Sequence, residues 1–166
     1  MALTTLIELL NRLDEAHLEL IALAGMKKQA IIEDKVDDLV QILNKESRQV
    51  KIVEKLEEER IQAAYAFLHQ VGIRSNLNLN LTELSRLVFD LDEKQRLLEA
   101  QKKLSSTLQQ LKDANSFNQE LLNQALSYID FSIETMAYPS DDQVTYKHPA
   151  ARTGSFHKSG FFDSRG

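Results

Sequence analysis

The chain has 166 residues, 43% hydrophobic and 27% charged, with no Cys, no Trp and a net charge of −5. Without Cys there are no disulfides, thiolate metal sites or Cys nucleophile, and 25 acids interspersed with 20 bases argue against a nucleic-acid backbone as partner. No run approaches the roughly 20 apolar residues of a membrane span, and MALTTLIELLNRLDEAH brings charges too early for a secretory leader, so the expected compartment is the cytoplasm.

In chain order, Leu3, Leu6, Leu10, Leu13, His17, Leu20 and Ala24 step by three and four, which predicts a first helix to about Ile32 with Gly25 tolerated inside it. A second helix is predicted to start near Asp34, whose side chain is suited to capping, and to carry Val36, Leu39, Leu43, Val50, Val53, Ala64, Phe67 and Val71 on its seam. Gly72 sits where a left-handed C-terminal cap belongs. In RSNLNLNLT leucines alternate with asparagines as in a strand, but no second strand candidate exists to pair with it. The segment is read as a loop whose leucines cover a bundle end.

Thr82 is expected to cap a short helix through Phe89, and Asp90 with Glu93 has the spacing of a capping box. A third long helix follows, with a predicted seam of Leu97, Leu104, Leu108, Leu111, Leu122, Ala125, Ile129 and Met136. From Tyr138 the composition shifts to Ser, Gly, Pro and scattered aromatics, and both prolines of the chain, Pro139 and Pro149, lie there. The predicted fold is all-α: an elongated antiparallel bundle, a coiled-coil-like hairpin of long helices over residues 1–137, followed by a flexible partner-binding tail over 138–166.

Catalytic signatures are missing. There is no glycine-rich phosphate loop, no HExxH and no GxSxG, so neither an enzyme nor a cofactor is expected. His148 and His157 in the tail lack carboxylates or thiolates at metal-ligand spacing. His17 on the first seam reads as a hydrogen-bonded or rim histidine, and Glu57, Glu58 and Glu59 as a solvated helix face.

Asn115 and Asn118 interrupt the third seam. A seam asparagine either fixes register or partner choice, or marks where the helix leaves the bundle. Beyond this point Phe117, Leu121, Leu122, Leu126, Ile129 and Ile133 make a broad apolar surface, suited either to a partner helix or to a fuller internal core.

The segment NQELLNQALSYIDFSIETM, after a long heptad-like helix and before a Tyr/Gly/Phe-containing tail, resembles the FlgN family of flagellar export chaperones. The patch Asn118–Leu122 carries the likeness best, together with the ending GSFHKSGFFDSRG, which is similar to the tails of members from Gram-positive bacteria. The resemblance implies a cytosolic chaperone that captures the C-terminal helical segment of hook–filament junction proteins and presents them to the flagellar type III export gate. It uses no nucleotide and inserts in no membrane. Carried onto this chain, it makes Phe117, Asn118, Leu121, Leu122, Leu126, Ile129 and Ile133 the substrate contacts, and Tyr146, with Tyr138 as a rival, the tail tyrosine that meets the gate. The ending FFDSRG contains an acid where other members finish in a basic segment. The alternative from another class is a structural coiled coil that self-associates as a homo-oligomer through the same apolar stripe.

Overall fold

Ahead of Tyr138 the chain has two glycines and no proline, so long helices are limited only by their caps and their packing. The computed structural model describes residues 2–75 and 77–137; the predicted tail, with Tyr138 and Tyr146, lies outside the described residues. Four helices form, α1 (Ala2–Ile32), α2 (Val36–Gln70), α3 (Leu81–Ser85) and α4 (Leu91–Ala137), and among the described residues there is no strand. Two compact units divide the chain at Leu122, inside α4: Met1–Leu122, and Asn123–Gly166, of which 123–137 is described.

In the first unit α1 and α2 form an antiparallel hairpin. Arg12 meets Glu59 at 3.6 Å and Lys27 meets Glu46 at 3.2 Å, while Gln49 donates to the carbonyl of Ala16 at 3.1 Å. Partners of α4 advance in step with α1, Thr107 with Asp14 and then Asn118 with Ala24, so this stretch of α4 runs parallel to α1. The up-down-up order expected from short connections is therefore present.

The helices α1 and α2 end by the same device. Ile73 N–H donates to Leu68 and Gly72 N–H to His69, with Gly72 at φ +92°, a Schellman cap as the sequence predicts. The α1–α2 turn repeats the pattern: Lys35 N–H donates to Ala30, Asp34 N–H to Ile31, and Asp34 has φ +54°. Asp34 thus ends α1 and does not cap α2, whose N-cap Lys35 makes no side-chain capping bond. An Asp tolerates the left-handed region better than most residues do, which is why it stands where Gly is usual.

The loop after Gly72 is a loop as expected, with Leu79 and Leu81 packed on the core and Leu77 exposed. The short helix is capped by Asn80, whose side chain accepts from Glu83 N–H at 2.8 Å while Glu83 returns the bond at 2.9 Å; Thr82 does not serve, and the helix ends at Ser85, short of Phe89. Asp90 caps α4, accepting from Glu93 N–H at 3.0 Å.

The main core gathers at one end of this unit. Leu6, Leu10 and Leu13 of α1 meet Leu68 of α2, Leu84 of α3 and Leu97 of α4, all fully buried. Each such side chain contributes about 1.5–3 kcal/mol relative to exposure. Toward the other end smaller or polar side chains, Ala24, Ala30, Thr107 and Asn118, are buried alongside Leu20, Ile31 and Ile42. The α4 seam is Leu97, Ala100, Leu104, Thr107, Leu111, Ala114 and Asn118, a strict three-four alternation. It departs from the predicted seam, since Leu108, Ile129 and Met136 are exposed. On α2, Ala64 and Phe67 are buried as expected, but Val36, Leu43 and Val50 are exposed and Ile42, Leu56 and Leu68 fill their place.

Candidate partner-binding surface

Each predicted contact lies on α4 or in the tail, and α4 treats them unequally. Within the first unit, Asn118 is 2% exposed and donates its side-chain amide to the Ala24 carbonyl at 2.8 Å. It is an internal tie to α1 and not an open-face contact, because a buried amide without its bond is costly. Of the two readings of a seam asparagine, register within the bundle is the one this geometry supports. Asn115 is exposed. Phe117, half-exposed, carries the Lys28 ammonium 4.9 Å from its ring centroid, a cation–π contact with α1. Leu121 and Leu122 are half-buried.

Considered by itself, the described part of the second unit is a helical segment with little buried. Leu126, Ile129 and Ile133 are 58%, 50% and 56% exposed. With Met136 they repeat at three and four, so they share one helical face. Tyr128 and Phe131, also well exposed, fall on the opposite face. These two aromatics escape a reading that seeks a single seam. The signal that finds them is apolar content beyond one stripe, which a helix tolerates only with cover on more than one side. The hydroxyls here are satisfied locally: Ser132 donates to the Tyr128 carbonyl at 2.9 Å and Thr135 to that of Phe131 at 2.8 Å. Each therefore offers a partner mainly carbon. Only Asp130 and Glu134 carry charge in this segment.

Ionisable groups elsewhere make structural ties. Asp14, 1% exposed, accepts from the Thr107 hydroxyl at 2.5 Å, and its second oxygen, 3.4 Å from the Lys103 ammonium, has no hydrogen bond. His17 donates from Nδ1 to its own helix at the Leu13 carbonyl, 2.6 Å away, as the rim reading expects. Glu57 binds Arg60 through both oxygens, and this bonding holds the guanidinium pKa above its ordinary value. No cluster of metal-ligating side chains occurs among the described residues, and no described helix is long and apolar enough to cross a membrane.

A surface of exposed aliphatic and aromatic side chains on one helix is suited to packing against another protein's apolar face. The FlgN protein family profile matches residues 1–154 of the chain. The chain belongs to the FlgN family. A protein of Bacillus subtilis (strain 168), named uncharacterized protein YvyG, is 30% identical over 166 residues, covering 99% of each chain. No solved structure matches significantly. FlgN proteins are flagellar export chaperones that bind flagellar substrate proteins, and the all-α fold expected from the spacing of apolar residues is the one found among the described residues.

Proposed function

We propose that this FlgN protein holds hook–filament junction proteins in the cytosol by their C-terminal helical segment and delivers them to the cytosolic domain of the flagellar type III export gate. The observation that carries the reading is the exposed face of Leu126, Ile129, Ile133 and Met136. Proteins that polymerise through terminal helices need that surface covered before export, and an amphipathic helix laid against an apolar face does so without nucleotide. Tyr128 and Phe131 supply further aromatic area for such a contact. The tail from Tyr138, with Tyr146 as its gate-contacting residue, adds a second, weak and releasable contact that suits handover.

Calorimetric titration with the C-terminal segment of a junction protein tests the reading. One-to-one binding with a negative heat-capacity change is expected, and Ile129→Asp abolishes it while circular dichroism stays helical. Removing residues 138–166 leaves that binding intact and weakens docking to the gate domain. A silent titration overturns the chaperone assignment.

A further inference from the structure

The side of α2 that carries Leu68 and Ala64 near its C-terminal end is interrupted by Glu54 and Glu57 and becomes apolar again toward the α1–α2 turn. Leu68 and Ala64 are buried on it, whereas Val50, Leu43, Val40 and Val36, which continue it toward the α1–α2 turn, are exposed by 40%, 41%, 51% and 67%. These four repeat at three, four and seven, so they form one stripe about 20 Å long at 1.5 Å per residue. Ser47 is the only polar member between them. Three β-branched side chains exposed on one helical face are a poor choice for a solvated surface, both for hydration and for helix propensity.

The charges beside the stripe say what covers it. Asp37 flanks its N-terminal end, and Arg48 and Lys51 flank its C-terminal end on the same side, all exposed. If two such helices lie antiparallel with Leu43 opposite Leu43, Val36 of each falls opposite Val50 of the other. In the same register Asp37 falls opposite residue 49, between Arg48 and Lys51 of the other helix and on the same flank, while Asp38 lies on the far side of α2, toward α1. The arrangement is self-complementary in shape and in charge, which is what a two-fold interface demands. A parallel pairing would set acids against acids.

We infer that the stripe Val36, Val40, Leu43 and Val50 is a homodimerisation surface, occupied by the same stripe of a second copy of this chain running antiparallel about a dyad at Leu43. So short a contact is smaller than a standard stable interface, so the dimer is weak and dissociates on dilution. It uses α2 alone and is independent of substrate capture on α4.

The chain has no native Cys, so single cysteines report the dyad directly. Leu43→Cys, at the axis, cross-links to a dimer under mild oxidation many-fold faster than the exposed control Ser105→Cys. Sedimentation velocity shows a mass that rises with concentration, and Val40→Glu with Leu43→Glu holds it at the monomer with helicity unchanged. Asp37→Lys weakens the dimer, and reversing Arg48 and Lys51 to Glu in the same chain restores it. A constant monomer mass, equal cross-linking at both cysteines, or glutamates at 40 and 43 that spare the mass but abolish junction-peptide binding would each overturn the assignment. The last outcome would give the stripe to the exported protein.

Discussion

Asp14 of α1 and Thr107 of α4, separated by 93 positions in sequence, share a buried hydrogen bond of 2.5 Å between carboxylate and hydroxyl. The bond fixes the rotation and height of α4 on α1, since a one-residue slip would bring Ser106 or Leu108 to the carboxylate. Thr107→Val preserves shape but removes the donor, and a buried carboxylate losing a bond costs about 2 kcal/mol. Asp14→Leu combined with Thr107→Val recovers much of that, because an apolar pair leaves nothing unsatisfied. Urea unfolding of the single and double variants measures the difference; equal stability of Thr107→Val and wild type would show the bond to be unimportant.

Gly25 sits within α1, and a methyl group added there meets no atom within 4 Å. Gly25→Ala is therefore expected to raise stability by about 0.5–1 kcal/mol through helix propensity alone. A rise in the thermal midpoint with unchanged helicity is the readout, and a fall would reveal a contact at that face.

The two left-handed caps predict opposite outcomes. Gly72→Ala places a Cβ at φ +92° and costs on the order of 1 kcal/mol, whereas Asp34→Gly relieves φ +54° and gains up to about 1 kcal/mol. Chemical denaturation of the pair gives both signs in one experiment.

At the same turn, hydrogen bonding from Lys35, and next from Gln29, lowers the Glu33 pKa below its ordinary value, and the bond to Glu33 raises that of Lys35. A lowered carboxylate pKa contributes stability that is present above the unfolded value and is lost as pH falls through the folded one. For Lys35, raised, the contribution is present below the unfolded value and is lost at still higher pH. Carbon-detected titration should place the Glu33 carboxyl below the ordinary glutamate value, and Lys35→Met should move it up. Both groups are exposed, so the effect on global stability is small.

Much of this fold is legible in the sequence because the residues that decide it are unambiguous. Gly72 has one good use at a helix end, and Asp90 followed by Glu93 has one good use at a helix start. Asp34 is different: Asp serves both as a cap and in the left-handed region, and only the turn's hydrogen bonds separate the two. The α4 seam misleads for a related reason. Leu108 advertises itself, but the interface runs one residue away through Ala100, Thr107 and Asn118, whose small size or partnered polar groups matter only once α1 is in place. In the candidate surface Leu126, Ile129 and Ile133 are exposed as a partner surface would have to be, while Asn118 is not, since a seam asparagine cannot declare from sequence whether its partner is inside or outside the chain.

The turn Glu33–Lys35 also sets an order in time. It joins α1 and α2 through three residues, so their hairpin can zip from the turn with little loop entropy to overcome. α4 meets α1 only across the whole of α2 and the 71–90 connection, and its ties at Thr107 and Asn118 bridge 93 and 94 positions. During synthesis both arms of the hairpin precede those residues. Of the three long helices, α4 is thus the one whose docking closes the longest loops.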